Sequence, residues 1–170
     1  MNINDIVDEY YRKVYKMCLF YLKNETEAED ITQEIFFKIC KGQSDFKQQS
    51  NVYTWIYRIS YNTIINYLKR KKLVEFIPFI NGTSDKHFEK SFESNDPAIK
   101  LEIEEQKQTK LSKLEKLIIK LSDRERAAFY FFYYEHLTQS NIAEIMQTSI
   151  SAVEALIHKS KKKLRELARY

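Results

Sequence analysis

The chain contains two glycines, two prolines, two cysteines and one tryptophan in 170 residues. Sandwiches and barrels need many tight turns, and tight turns draw on glycine and proline, so an all-β architecture is disfavoured. Collagen-like and Pro/Gly-rich low-complexity chains are excluded. No stretch approaches the roughly 20 apolar residues that a membrane helix needs. The start, Met1-Asn2-Ile3-Asn4-Asp5, has neither a basic stretch nor a long apolar core, so no secretory signal is expected. Cys18 and Cys40 form no CxxC. Each lies among apolar, helix-patterned neighbours, so both are expected to be buried structural thiols. His87, His136 and His158 are scattered and show no metal-ligand spacing. No metal, cofactor, small-molecule substrate or catalytic constellation is therefore expected. The expectation is a cytoplasmic protein that is not an enzyme and is not embedded in a membrane.

Aromatic residues are plentiful, with 12 Tyr and 11 Phe, which argues against disorder. Net charge is +4, a weak pointer to a polyanionic partner. Its distribution says more. Residues 1–72 hold 12 basic and 9 acidic side chains, net +3; residues 73–110 hold 5 and 8, net −3; residues 111–170 hold 11 and 7, net +4. The acidic middle contains Pro78, Asn81-Gly82, Ser84-Asp85 and Asp96-Pro97. It reads as a flexible linker between two small domains, the alternative being a long surface loop in a single one.

The periodicity predicts an all-α chain. Over 3–22, Ile6, Tyr10, Val14, Met17, Cys18, Tyr21 and Leu22 recur at steps of three and four. Asn24 and Glu27 have capping-box spacing, and the next helix turns Ala28, Ile31, Ile35, Phe36 and Ile39 inward. Gly42 is expected to stop it in a left-handed conformation. After a polar loop at 46–51, a long helix runs from Val52 to Lys72, with Trp55, Ile56 and Ile59 on its apolar side. Residues 98–120 look helical. Ser122 and Glu125 form a cleaner capping box before a helix that includes Phe129, Phe132 and Tyr133. Thr138 caps Gln139–Met146, and Ser149 caps Ile150–Ala168.

Two helices joined by a turn at Gln147-Thr148-Ser149 have the form of a helix-turn-helix over 138–163. Ile142, Ala143, Met146, Val153 and Leu156 occupy its contact positions. Ala143 suits a close helix crossing, whereas Gln147 stands where glycine is common. The second helix turns out Ser151, Ala152, Glu154, Ala155, His158 and Lys159, and then carries Lys161, Lys162, Lys163 and Arg165. Such a helix fits a major groove, its first side chains facing base edges and its lysines meeting phosphates. A helical hairpin with a solvated lysine face has the same local pattern. On the long helix, Arg58, Asn62, Asn66 and Lys69 share one narrow face. Lys69-Arg70-Lys71-Lys72 follow, and Tyr53, Trp55, Tyr57 and Tyr61 lie nearby. Cations, amides and aromatics together can hold a phosphate backbone and stack unpaired bases; equally, Trp55 can be core and the basic run a solvated helix end. The acidic Asp30-Ile31-Thr32-Gln33-Glu34 stretch beside Phe37 and Lys38 suits a protein-binding face.

DITQEIF (30–36), TWIYRISYNTIINYLKRKK (54–72), LSDRERAAFY (121–130) and Leu137–Glu166 together resemble the extracytoplasmic-function sigma factors, the small members of the bacterial sigma-70 family. The resemblance covers nearly the whole chain, in order. It implies a first domain over 1–72, a linker and lead-in helix over 73–110, and a helix-turn-helix domain over 111–170. It implies that Asp30, Gln33, Glu34 and Phe37 bind core RNA polymerase. Arg58, Asn62, Asn66, Lys69 and Arg70, with Tyr53 and Trp55, would face the minus-ten promoter element, and the 46–53 loop would hold a flipped base. Ser149, Ser151, Ala152, Glu154, His158, Lys159, Lys161 and Lys162 would face the minus-thirty-five element. Phe129 and Phe132 would grip the polymerase flap. Promoter DNA, core polymerase and an anti-sigma factor are the implied partners. Tyr61 and the Glu154-Ala155-Leu156 triplet depart from the commonest family pattern. The alternatives are a stand-alone helix-turn-helix regulator and a helical interaction adaptor.

Overall fold

A computed structural model describes residues 3–43, 51–80, 114 and 116–168, with side chains for 5–43, 51–74, 114 and 116–168. The 46–50 part of the polar loop, the linker beyond residue 80 and most of the 98–120 helix lie outside the described residues. Among the described residues six α-helices follow one another: α1 (Ile3–Leu22), α2 (Glu25–Gly42), α3 (Val52–Ile80), α4 (Asp123–Tyr133), α5 (Gln139–Met146) and α6 (Ile150–Leu167). A short helical turn at 116–118 precedes α4. Among the described residues there is no strand. No described helix is long and apolar enough to cross a membrane.

The first three helices pack on one another, as do the last three, and α5 also lies against α3. Ile6, Val14, Met17, Ile35, Ile39, Ile56 and Ile64 form the centre of the first unit. Ile142, Ile145, Val153 and Ile157 form that of the second. One continuous apolar cluster runs through both. Phe131 is wholly buried within it and meets the rings of Tyr57 and Tyr61 at 5.7 and 6.3 Å.

The local signals for helix starts hold. Asn24 accepts from the Glu27 N–H at 2.9 Å, Ser122 and Glu125 form the reciprocal box, and Thr138 and Ser149 accept from Asn141 and Ala152. The Glu27 carboxylate, however, turns to Lys71 Nζ at 2.6 Å and so ties α2 to α3. At Ser122, burial would raise the Glu125 carboxyl, yet hydrogen bonds from Ser122 and the Lys163 charge bring it below the usual carboxylate value.

Four local expectations are corrected. Gly42 is the last residue of α2, and the cap after it is a right-handed Gln43. The close neighbour of Gly42 is a ring: a Cβ at 42 would meet Trp55 Cζ2 at a tight 3.3 Å. The helix expected to end at Lys72 continues to Ile80, with Pro78 inside its last turn. Cys18 is buried, and desolvation pushes its thiol up to about 11, but Cys40 is exposed, one step past buried Ile39. In α6 the fully turned-in contact is Ile157, and Leu156 is only half-buried.

Candidate nucleic-acid interface

On α3, Asn62, Asn66, Lys69 and Arg70 are exposed and form a polar stripe. Steps of four, three and one residues keep them within about 100° of the helix circumference. Their opposite side carries buried Ile56, Ser60 and Ile64, which fixes the stripe's direction. Arg58 shares this stripe but is half-buried: its guanidinium donates to Glu144 Oε1 of α5 at 3.0 Å. Lys72, at the basic end, reaches Asp123 Oδ2 of α4 at 2.8 Å. Trp55 and Tyr53 are half-buried against the core, and Tyr53 meets Tyr57 edge-on at 6.5 Å. The structure thus brings the amides and two cations into one open surface, with the two aromatics at its buried margin.

The second surface is α6. Its start is set by Ser149, whose Oγ accepts from the Ala152 N–H at 3.2 Å and lies 3.1 Å from Ser151 Oγ. The turn before it depends on Gln147, which adopts φ 51° and ψ 54°. The Thr148 N–H then closes back on Ala143 O at 3.0 Å, and this reversal aims α6 outward. Val153, Ile157, Ser160 and Leu164 bury one side of α6. Ser151, Glu154, His158, Lys159, Lys161 and Lys162 stand on the exposed side, with Ala152 half-buried between them. His158, Lys161, Lys162, Arg165 and Glu166 line a shallow depression of about 290 Å³. Lys162 lies 3.9 Å from Glu166 at 69% side-chain exposure, so the pairing is weak and the lysine stays available to an anion.

The acidic helix presents a third surface. Asp30 and Gln33 are exposed, and Glu34 is paired with Lys38 at 2.6 Å. Lys38 also donates to Thr63 Oγ1 at 3.1 Å, a contact that joins this surface to α3. Phe37 is 60% exposed, with Lys41 Nζ 4.7 Å over its ring. An exposed phenylalanine among carboxylates is suited to a protein partner. Phe129 does not share this exposure. It is buried with Ile118, Leu121 and Leu164, and Phe132 is half-buried. The exposed apolar side chains nearby are Tyr133, which the helical pattern named, and Tyr134 and Ile119, which it did not. The signal for them is the block Phe129-Tyr130-Phe131-Phe132-Tyr133-Tyr134: six successive aromatics exceed what one helix face can bury.

Sequence reasoning also missed two carboxylates that face α3. Glu135 accepts from the Tyr57 and Tyr130 hydroxyls, the latter at 2.9 Å. Burial first, then the charge and hydrogen bond of Glu135, holds both phenols well above the ordinary tyrosine value. Glu144 takes Arg58. Both become visible only when the two units are seen together.

The family model for Sigma-70 region 2 matches residues 6–74, and that for Sigma-70, region 4 matches residues 111–164. The ECF RNA polymerase sigma factor SigW of Bacillus subtilis is 30% identical over 97% of this chain and 88% of its own. Two solved structures share the fold at 17% identity. RpoE of Bartonella quintana, in complex with the anti-sigma factor NepR, has a TM-score of 0.71 and covers 98% of this chain and 96% of its own. CnrH, in complex with the cytosolic domain of CnrY, has a TM-score of 0.69 over 98% and 87%. With both regions matched in order, and one relative matched over 97% of this chain, the chain belongs to the sigma-70 family, among its extracytoplasmic-function RNA polymerase sigma factors.

Proposed function

We propose that this sigma factor divides its work among the three surfaces. It binds core RNA polymerase and directs it to promoters, and the polymerase supplies the chemistry of RNA synthesis. The stripe Arg58, Asn62, Asn66, Lys69 and Arg70, bordered by Tyr53 and Trp55, faces the minus-ten element. The α6 surface from Ser149 and Ser151 to Lys161 and Lys162, including Ala152, Glu154, His158 and Lys159, faces the minus-thirty-five element. Asp30, Gln33, Glu34 and Phe37 dock on core polymerase. Residues 1–72 act as the region 2-like unit, 111–170 as the region 4-like unit, and 73–110 as the connection. The protein acts in the cytoplasm, where its polymerase is, and is not itself an enzyme. An anti-sigma factor is the natural regulator; the NepR complex of RpoE supports that reading.

The single observation that carries the reading is the ordered pair of matched regions on two helical units that each turn a cationic surface outward. The test is transcription with purified core polymerase on promoters from the same genome. Initiation that depends on the added protein is expected; absence of both core binding and initiation overturns the reading. Asp30→Lys and Glu34→Lys should each abolish core binding while far-UV circular dichroism is unchanged. Wild-type core affinity in both variants would remove the α2 surface from the interface.

A further inference from the structure

Charge along α6 is sorted by sign, and one group stands apart. Over residues 150–158, Glu154 is the only aspartate, glutamate, lysine or arginine. The exposed cations begin at Lys159 and continue through Lys161, Lys162 and Arg165. Glu166, the other carboxylate of α6, has Lys162 at 3.9 Å. Glu154 has no such neighbour. The residues three and four positions away are Ile150, Ser151, Ile157 and His158, and among the described residues no ion pair or hydrogen bond holds the Glu154 side chain. Lys161 is seven residues on, about 10.5 Å along the axis. The helix dipole does not account for the carboxylate either, because the fifth residue of α6 lies beyond its first turn.

The surroundings of Glu154 let it reach outward. Ser151, Ala155 and His158 are exposed beside it, within about 100° of the helix circumference. Ser151 and Ala155 are short, and the Ser151 hydroxyl lies 3.1 Å from Ser149 Oγ. In the first two turns of α6, Glu154 is therefore the longest exposed polar side chain. Those are the turns that face base edges when such a helix enters a major groove, and the later lysines meet phosphates. A carboxylate there is repelled by phosphate and loses water as it enters. It gains only from a donor. Base edges in the major groove offer two, the amino groups at cytosine N4 and adenine N6. Adenine sets its N7 acceptor beside N6, against the second carboxylate oxygen, whereas cytosine has no acceptor on its own major-groove edge.

We infer that Glu154 selects cytosine at one base pair of the upstream promoter element by accepting from its N4 amino group. This inference rests on the sigma-factor reading above and adds to it the base that the α6 surface demands. The carboxylate acts as a filter: it weakens binding to every duplex and is compensated only where cytosine stands opposite it.

The experiment uses the full chain assembled with core polymerase, on a promoter from the same genome at which it initiates. Each base pair of the upstream element is changed in turn to the other three, and affinity and initiation are measured. The wild type should lose about fivefold or more when one particular cytosine is replaced by any other base. Glu154→Gln should move the preference at that pair from cytosine to adenine, because an amide both donates to N7 and accepts from N6. Glu154→Ala should make that pair indifferent and leave discrimination at the others in place. It should also bind an unrelated duplex more tightly than the wild type, which damage to the helix-turn-helix would not produce. Helicity by circular dichroism and core affinity are measured for both variants. Unchanged preferences at every pair in both variants overturn the inference and leave the sigma-factor reading standing. So does a lost preference for a base other than cytosine. If the wild-type chain binds no core and initiates nowhere, the sigma-factor reading fails and the inference with it.

Discussion

Gln147 is the position at which a single side chain can test the geometry of the helix-turn-helix. Its φ of 51° and ψ of 54° place an L-residue with a Cβ in the left-handed region. That conformation costs an ordinary residue about 1–2 kcal/mol. Glycine adopts it without the cost, but a glycine loses more chain freedom on folding, an opposing term of about 0.5–1 kcal/mol. Gln147→Gly should therefore stabilise the protein by about 0.5–1 kcal/mol. The side chain is exposed and its backbone N–H already closes the end of α5 on Ala143 and Glu144, so the substitution removes no packing. The sign is set by the strain exceeding the opposing chain-entropy term.

The assay is urea unfolding followed at 222 nm. With a slope of about 2 kcal/mol per molar, the midpoint should rise by about 0.3 M with the slope unchanged. In a chain of this length the thermal midpoint should rise by about 1–4 °C. Gln147→Val sharpens the test, because a β-branched residue is a true outlier at positive φ and should lose more than 1 kcal/mol. If Gln147→Gly lowers the midpoint, or Gln147→Val leaves it unchanged, the left-handed turn is not present and the direction assigned to α6 falls with it.

Ser122→Ala removes one half of the α4 capping box and should cost about 1 kcal/mol at pH 7. Glu125 is held below its unfolded value, so its stabilisation is present above the unfolded carboxyl value of about 4.3 and is lost as pH falls through the folded one. The difference between Ser122→Ala and wild type should accordingly narrow toward pH 3; a constant difference would separate Glu125 from the cap. Native thiol labelling at pH 8 should modify Cys40 quickly and Cys18 only on unfolding, since Cys18 is buried with its thiol raised to about 11; two fast thiols would contradict the packing of α1 against α2. Lys161→Ala/Lys162→Ala should weaken binding to an upstream-element duplex and reduce the log–log salt slope by about 0.9 per lost phosphate contact. An unchanged slope would make both lysines solvated surface.

The features legible in the sequence are those whose cause lies within one helical turn. Ser122 with Glu125, Thr138 with Asn141 and Ser149 with Ala152 are each three residues apart, and a capping bond needs nothing beyond that. The inward positions of α2 are equally local, because 3.6-residue periodicity states them directly. Gly42 shows where local reasoning ends. Its residue type suggests a left-handed stop, but its tight neighbour is Trp55, from a helix on the other side of a loop. Cys40 was misread for a related reason: adjacency to Ile39 is adjacency in the chain, and on a helix the next residue points about 100° away. Phe129 and Arg58 carry the lesson into the candidate site. An aromatic block reveals an excess of apolar surface without showing which rings the rest of the fold will bury. A cation on a polar face has the same pattern whether it awaits a phosphate or holds one of the chain's own carboxylates. Glu144 lies 86 positions from Arg58, and no periodicity links them. The sequence pattern therefore identifies the groups able to meet DNA, whereas their availability is set by how the two units pack.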